Sequence, residues 1–169
     1  MGIRNFLIDG GSGTGKTAVC EELARRGYHA IHGDRELAYQ GDPVTGVPVA
    51  GVTGTAAHDH HLWNTERVRA LAADRRADVT FFCGGSRNTA SFLDVFDGVF
   101  VLTVDAATLT HRLDQRPDTE WGGRGRPAER KLIMQLHANQ EDLPGEYALI
   151  DAAAPLNIVV DQILALSNP

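Results

Sequence analysis

The sequence predicts an α/β fold in which a five-stranded parallel sheet is covered by helices on both faces. Three observations support this prediction. Short apolar segments alternate with helical ones along the chain, the apolar segments are continuous rather than alternating, and several of them end at glycine or aspartate. The chain has 169 residues and shows no internal repeat or linker, so we expect a single domain over residues 1–169.

The strands are predicted where short apolar runs meet polar or glycine residues, at 3–8, 28–32, 78–83, 99–104 and 147–150. Ligands of parallel sheets bind at the carboxyl ends of the strands. The segments to inspect for function are therefore those that follow each strand: 10–17, 33–34, 84–87, 105 and the residues from 151 onward.

Helices are predicted between the strands. Val19, Cys20, Leu23 and Ala24 form one apolar face after the first strand, and Gly27 is placed to end that helix. The other helices are predicted over 58–76, from Asn88 or Ser91 to Val95, over 106–115, and from Pro127 and Pro155 onward. The glycine- and proline-containing segment 41–54 is predicted to be a loop.

The first loop carries the strongest functional signal of the chain. Its residues Gly10, Gly11, Ser12, Gly13, Thr14, Gly15, Lys16 and Thr17 match G-x-x-x-x-G-K-[ST], the phosphate-binding P-loop, between a predicted strand and a predicted helix. Glycines let successive backbone N–H groups point at phosphate oxygens. Lys16 is placed to reach the β- and γ-phosphates, and the Thr17 hydroxyl to ligate Mg²⁺. The motif predicts binding of a nucleoside triphosphate, with ATP and Mg²⁺ as cofactors.

Asp34 follows the second strand and is expected to lie beyond the P-loop. Its carboxylate could take a proton from an acceptor hydroxyl, or it could orient a water bound to Mg²⁺. The structural alternative is an N-cap for a helix over 36–40, a role that Asp performs well.

The third strand is followed by Gly84-Gly85-Ser86-Arg87. The glycines would let a substrate approach the backbone, and Arg87 could hold an anion. The alternative is a tight turn with a solvent-facing arginine. This strand ends in Phe82-Cys83 and not in an acid, so Mg²⁺ would depend on Thr17 and waters, with Asp34 as a further candidate. The missing acid disfavours motor-type ATPases.

An arginine-rich segment follows the fourth strand. Arg112 and Arg116 are spaced to share one helix face, and Arg124 and Arg126 lie in a glycine-rich segment that we expect to form a lid over roughly 116–127. Arginines closing over a triphosphate would neutralise developing charge and exclude water. The alternative is a solvated loop in which nearby carboxylates balance the charge.

Composition excludes several function classes. Hydrophobic residues make up 43% of the chain and charged residues 22%, as in ordinary soluble proteins, and no apolar run or leader pattern indicates a membrane, so a cytoplasmic protein is expected. The net charge of −6 disfavours nucleic-acid partners. Cys20 and Cys83 are expected to be buried and reduced. The histidines His58, His60 and His61 are poorly spaced for a metal site, and Trp63 and Trp121 could equally pack or stack on a base.

Together these segments resemble the small P-loop kinases of the nucleoside monophosphate kinase, shikimate kinase and gluconate kinase group. Gly10–Thr17 is similar to their phosphate loop, and 32–35 resembles the threonine-glycine-aspartate segment of adenylate kinases. The 84–87 turn resembles the arginine turn that holds the acceptor phosphate there, and also the triple-glycine turn of shikimate kinases. Residues 104–116 resemble the elements that lead into the lid, and 151–155 resembles the loop that touches the adenine of ATP.

This resemblance implies a three-layer P-loop NTPase fold with a short arginine-rich lid and an acceptor-side segment over roughly 34–76. It implies that Ala153 and Pro155 contact the nucleotide together with Arg112 and Arg116, and that Asp34, Arg35, Gly84, Gly85, Arg87, Arg124 and Arg126 bind the acceptor. The sequence departs from the group in lacking the Asp-x-Asp of shikimate kinases and the cysteine knuckle of some lids.

The function expected from the sequence is therefore transfer of a phosphoryl group from ATP to a small molecule. Lys16 and Arg116 would stabilise the transferring group, and Asp34 would activate or position the acceptor. A nucleoside or nucleotide acceptor is slightly favoured, and a hydroxylated metabolite such as a sugar acid or a shikimate-like compound is the alternative. A nucleotide-binding regulator with slow ATPase activity is the alternative from another class.

Overall fold

The computed structural model describes residues 3–140 and 143–168. The strands are β1 (Arg4–Gly10), β2 (His29–His32), β3 (Ala38–Gln40), β4 (His61–Trp63), β5 (Val79–Cys83), β6 (Gly98–Thr103) and β7 (Ala148–Asp151). The helices are α1 (Lys16–Arg25), α2 (Gly33–Glu36), α3 (Ala56–Asp59), α4 (Thr65–Ala72), α5 (Ala106–Asp114), α6 (Pro127–Asn139) and α7 (Leu156–Ser167).

Five of the strands form one parallel sheet in the order β2-β5-β1-β6-β7, which confirms the predicted sheet. β1 lies at its centre, and in register Ile8 lies beside Cys83 on one side and Phe100 on the other. The carboxyl ends of β2, β5 and β1 are therefore neighbours. This arrangement brings the P-loop, the residues after β2 and the residues after β5 to one edge of the sheet.

Side chains of the central strands alternate between two cores, one on each face of the sheet. Phe6 and Ile8 pack with the apolar faces of α1, α5 and α7, whereas Leu7 packs with residues of α4 and β4. Such continuous burial on both faces explains why the strands read as unbroken apolar runs. The predicted three-layer α/β architecture is confirmed.

The predicted helix over 58–76 is interrupted: residues 58–59 belong to α3 and 65–72 form α4, whereas 60–64 and 73–76 are not helical. His61–Trp63 forms β4, which pairs antiparallel with β3, and α4 begins only at Thr65. Leu62 and Trp63 are both buried, 1% exposed each, and this local packing prevails over helix propensity. The Asn64 side chain then accepts a hydrogen bond from the Arg67 N–H at 2.9 Å and caps α4.

Two smaller expectations are also corrected, and one strand-end residue receives a structural role. The segment 36–40 is not a helix, because α2 ends at Glu36 and β3 follows. Residues from Asn88 to Val95 form two short 3₁₀ turns, and the Asn88 side chain does not cap them but bonds the backbone N–H of Trp63 at 3.0 Å. Asp105 caps α5 through the Thr108 N–H at 2.7 Å, which gives it a structural role.

The loop predicted over 41–54 contains neither a helix nor a named strand, and one isolated bridge joins Gly41 to Pro48. Cys20 and Cys83 are both buried and free, as expected. Among residues 3–140 and 143–168, no helix combines the length and the apolar character needed to cross a membrane.

Candidate active site

The P-loop follows β1 and ends where α1 begins at Lys16. Gly13 and Gly15 have φ angles of 87° and 101°, a left-handed conformation that favours glycine. A Cβ on Gly10 would lie 2.6 Å from Oγ1 of Thr14, so this position is also closed to larger residues. The loop backbone therefore has the shape that its glycine pattern predicts.

Lys16 and Thr17 lie at the N-terminus of α1. Lys16 Nζ donates to the carbonyl oxygens of Gly10 at 2.5 Å and Gly11 at 3.0 Å. Burial lowers the pKa of Lys16, while the nearby carboxylates of Asp9 and Asp34 act in the opposite direction. Thr17 is exposed, and its hydroxyl lies 3.2 Å from Nε2 of His32. Both side chains thus border the space where the loop would hold phosphates.

Arg112 and Arg116 both donate hydrogen bonds to the P-loop. The Arg112 guanidinium donates to the carbonyls of Gly13 at 3.3 Å, Thr14 at 3.1 Å and Ala152 at 2.7 Å. Arg116, just beyond the end of α5, donates to Oγ of Ser12 at 2.8 Å and to the Trp121 carbonyl at 2.6 Å. Burial lowers the pKa of Arg116. The two arginines brace the loop, and their predicted contact with nucleotide stays a prediction.

Asp34 lies on α2, directly after β2. Its Oδ1 accepts hydrogen bonds from Nε2 of His61 at 3.0 Å and Nε1 of Trp63 at 3.4 Å, and its side chain is 39% exposed. Burial opposes ionisation of this carboxylate, but the hydrogen bond and charge of His61, together with Lys16, lower the pKa of Asp34 below its ordinary value. Asp34 is therefore an oriented, ionised carboxylate, and it does not cap a helix.

Asp9 is a site residue that the sequence prediction omitted. It occupies the penultimate position of β1 and is 6% exposed, and its Oδ1 accepts the Gly10 N–H at 2.7 Å. Burial raises the pKa of Asp9 to about 6, and the charge of Lys16 and the Gly10 hydrogen bond moderate this rise. The available signal was a charged residue at the end of an apolar strand, because burying an unpaired carboxylate is costly.

The Gly84-Gly85 turn is shaped by the protein's own side chains. A Cβ on Gly84 would lie 2.6 Å from Cζ2 of Trp63 and 3.0 Å from Oδ1 of Asp34, and Gly84 has a φ of 143°. A Cβ on Gly85 would lie 2.6 Å from Oδ1 of Asp9. The two glycines thus make room for two carboxylates, in addition to the substrate approach that the sequence predicts.

Arg87 borders a cleft between the segment around α3 and helix α6. The cleft has a volume of about 380 Å³, and Thr55 and His58 line it from one side and Leu132 and Leu136 of α6 from the other. The Arg87 N–H donates to the His61 carbonyl at 2.9 Å, which ties its turn to β4. Burial, followed by the charge of Arg87, lowers the pKa of His58.

The remaining predicted arginines are exposed. Arg35 is exposed on α2, and Arg124 on the segment before α6. Arg126 donates to Oε1 of the buried Glu129 at 3.1 Å, and Oε2 of Glu129 accepts the Gly122 N–H at 3.0 Å. Glu129 therefore fastens the segment that we predict to be a lid.

The remaining pair of predicted nucleotide contacts, Ala153 and Pro155, lies between β7 and α7, next to the carbonyl that Arg112 holds. Of the two tryptophans, Trp63 is a core residue, 1% exposed, and Trp121 is partly buried and packs against the core that contains Phe6 and Ile8.

The side chains at the site suit Mg²⁺ that is bound together with nucleotide better than a metal ion held by protein ligands alone. Within the described residues, no group of three or more His, Cys, Asp or Glu side chains is placed to hold an ion. Mg²⁺ usually relies on one or two protein oxygens together with phosphates and water. The exposed Thr17 hydroxyl and the carboxylates beside Lys16 fit that requirement.

Comparison with solved structures shows the fold class. Neither a protein-family model nor a curated protein sequence matches this chain. A shikimate kinase from Bacteroides thetaiotaomicron is similar with a TM-score of 0.61 and 16% identity, over 96% of this chain and 97% of that one. A sugar kinase from Janibacter sp. HTCC2649 has a TM-score of 0.57 and 19% identity, over 96% and 93% of the two chains. A gluconokinase from Sinorhizobium meliloti 1021 has a TM-score of 0.53 and 22% identity, over 96% and 90%.

These three structures confirm the predicted resemblance at the level of the fold. The chain has the α/β fold of the P-loop kinases, and it shares that fold with kinases named for sugar, shikimate and gluconate. At this level of sequence identity the similarity shows the fold alone, because one fold can carry many functions and the function depends on the residues of the site.

Proposed function

We propose that the protein is an ATP- and Mg²⁺-dependent phosphotransferase that acts on a hydroxyl group of a small molecule. The observation that carries this proposal is the position of Asp34. An oriented, ionised carboxylate follows the strand that ends beside the P-loop, and the charge of Lys16 acts on it. A phosphate-binding loop and a carboxylate facing the same space are the two parts that phosphoryl transfer to an alcohol requires.

The P-loop supplies the nucleotide half of the reaction. Backbone N–H groups of 10–17 and the ammonium of Lys16 would bind the phosphates, and the Thr17 hydroxyl would bind Mg²⁺. Lys16 now donates to two loop carbonyls, so nucleotide binding would exchange these bonds for bonds to phosphate. When it is bound, Mg²⁺ would neutralise charge on the phosphates.

Asp34 supplies the acceptor half. Its Oδ1 is held by His61 and Trp63, and this fixes the direction of the carboxylate. A carboxylate at this position favours a hydroxyl acceptor over a phosphate acceptor, because it can accept a proton from the first and repels the second. Hydroxylated metabolites are therefore favoured as acceptors over nucleotides, and nucleosides are compatible with the same carboxylate.

The cleft beside Arg87 favours an acceptor that is small and negatively charged. A volume of about 380 Å³ suits a compact metabolite, and Arg87 would attract an anionic group such as a carboxylate. Shikimate and gluconate, for which two of the structural neighbours are named, are hydroxylated acids of this kind. We propose a hydroxylated acid or sugar as the acceptor and a cytoplasmic location for the reaction.

The test is an acceptor screen read by mass spectrometry. Purified protein, ATP and Mg²⁺ are incubated with pools of sugars, sugar acids, cyclic hydroxy acids, nucleosides and nucleoside monophosphates. We expect one phosphorylated product, which Lys16→Ala abolishes. Asp34→Asn should lower its rate about 10²- to 10⁴-fold, the usual contribution of a general base. Asp78→Asn, at the opposite end of β5, is the matched control.

The outcomes separate the possible functions. A product made only from nucleoside monophosphates would overturn the hydroxyl proposal and restore the nucleotide acceptor. Tight ATP binding with slow hydrolysis that no pool alters would favour a nucleotide-binding regulator instead. A product whose rate Asp34→Asn leaves unchanged would remove Asp34 from the mechanism.

A further inference from the structure

In many P-loop NTPases an acid at the end of a neighbouring strand helps to hold Mg²⁺, and that position lacks an acid here. The strand beside β1 ends in Cys83, so neither of its last two residues can contribute a carboxylate to a magnesium site. Two carboxylates nevertheless act on Lys16 at this edge of the sheet, those of Asp9 and Asp34. Their positions and hydrogen bonds indicate which carboxylate is placed for the metal and which is placed for the acceptor.

Register places Asp9 where the missing acid would act. Ile8 pairs with Cys83, so Asp9 lies one residue further toward the carboxyl edge, on the strand adjacent to β5. Its Oδ1 lies against Gly85, where a Cβ would come within 2.6 Å. Asp9 therefore occupies space directly above the end of β5, and the glycine at 85 is required to accommodate it.

The bonding of the two carboxylates differs. Asp34 is 39% exposed and is held by His61 and Trp63, on the side of the acceptor segment. Asp9 is 6% exposed, and Oδ1 is held by the backbone of the P-loop itself. Within the described residues, no hydrogen bond reaches the other oxygen of Asp9. This oxygen keeps some exposure to solvent, so beside Lys16 it is available to accept hydrogen bonds from the water shell of a cation.

We propose that Asp9 is the magnesium acid of this protein: through water it holds the Mg²⁺ that accompanies ATP, and Asp34 is left to the acceptor. This assignment rests on the proposed function for the presence of ATP and Mg²⁺, and it names which carboxylate each half of the site uses. The short side chain of Asp9 and its anchorage to the Gly10 N–H keep it at a fixed position beneath the phosphates.

The experiment measures nucleotide binding and not turnover. Isothermal titration gives the affinity for ATP without metal and at a series of Mg²⁺ concentrations, for the wild type, Asp9→Asn, Asp34→Asn and the control Asp78→Asn. Electron paramagnetic resonance of Mn²⁺ with ATP reports the metal environment directly. We expect Asp9→Asn to raise the Mg²⁺ concentration at half-saturation about tenfold, as loss of an outer-sphere partner typically does. Its affinity for metal-free ATP should be unchanged or higher, since one negative charge is removed.

Asp34→Asn should leave the Mg²⁺ requirement within about twofold of the wild type, because in this proposal Asp34 serves the acceptor and not the metal. An Asp9→Asn protein with a wild-type Mg²⁺ requirement overturns the proposal. A shift found in Asp34→Asn alone, or equally in both variants, overturns the division of roles. Binding of Mg²⁺ and ATP by a protein that phosphorylates no acceptor would refute the proposed function while leaving this assignment to be decided by the same titration.

A second variant keeps the test valid if Asp9→Asn does not fold. Gly85→Ala retains the carboxylate but places a methyl group against its Oδ1, so Asp9 must move. We expect Gly85→Ala to raise the Mg²⁺ requirement in the same direction as Asp9→Asn. A Gly85→Ala protein that binds ATP with a wild-type Mg²⁺ requirement would contradict the proposal as directly as the first variant.

Discussion

Arg112 joins three segments that are far apart in the sequence. Its guanidinium donates to two carbonyls of the P-loop and to the carbonyl of Ala152, at the end of β7. Arginine suits this position because its planar group presents several donors in fixed directions. The side chain predicted as a nucleotide ligand therefore also holds the nucleotide loop in shape before any nucleotide binds.

We predict that Arg112→Ala lowers the free energy of unfolding of the nucleotide-free protein by about 2 kcal/mol, because hydrogen bonds from a charged donor to three carbonyls are lost. Denaturation in urea measures this difference. Arg124→Ala, which removes an exposed arginine, is the matched control and should change stability by less than about 0.5 kcal/mol. Equal stability of the two variants would mean that Arg112 does not brace the loop.

Among the elements, the β3–β4 pair has the largest effect on the acceptor side. It places Trp63 beneath α2, where its indole packs in parallel with Phe92 at 5.9 Å between ring centroids and donates to Asp34. Gly33, the first residue of α2, lies against this ring, and a Cβ there would overlap it. The position of Asp34 thus depends on close packing between a glycine and a buried tryptophan.

We predict that Gly33→Ala destabilises the protein by about 1–3 kcal/mol, the usual cost of overpacking. It should also reduce acceptor phosphorylation more than ATP binding, because α2 carries Asp34 and not the P-loop. Thermal unfolding and ATP titration measure the two effects. Gly11→Ala is the control for stability, since a Cβ at Gly11 meets no atom within 4 Å. Similar losses of stability in the two variants would contradict the packing argument.

The parallel strands and the P-loop could be predicted from the sequence, whereas the β3–β4 pair could not. The parallel strands could be predicted because burial on both faces leaves a continuous apolar run, and the P-loop because phosphate binding requires its residue types. The β3–β4 pair could not, because residues 61–63 are compatible with a helix until a partner 20 or so positions away is known. Asp34 was found from its place after a strand.

Asp9 was overlooked for a related reason. The predicted first strand ends at Ile8 and the P-loop motif begins at Gly10, so the residue between them belongs to neither. Its importance depends on a neighbour, since only the parallel register of β1 with β5 shows that it lies over Gly85. Roles that arise from contacts between distant segments cannot be derived from spacing along the chain.

At the scale of the whole molecule, the site lies where the two cores meet at the carboxyl edge of the sheet. Asp9 extends from the central strand, so its charge affects the stability of the entire fold. Burial raises its pKa from 3.8 to about 6, which means that the folded protein holds this proton more tightly than the unfolded chain. The contribution of protonated Asp9 to stability is complete below pH 3.8 and is lost as the pH rises through about 6.

We therefore predict that the nucleotide-free wild type loses stability relative to Asp9→Asn as the pH rises from about 4 to about 7, by about 3 kcal/mol, since each pKa unit corresponds to about 1.4 kcal/mol. The amide of asparagine carries no charge at any pH in this window and should be tolerated in the same buried position. Urea denaturation of both proteins at several pH values measures the difference in their free energies of unfolding. Asp34, whose pKa is lowered, contributes to stability in the opposite direction, and this contribution cancels because both proteins contain Asp34. A constant difference between the wild type and Asp9→Asn would show that Asp9 ionises as readily in the folded protein as in the unfolded chain.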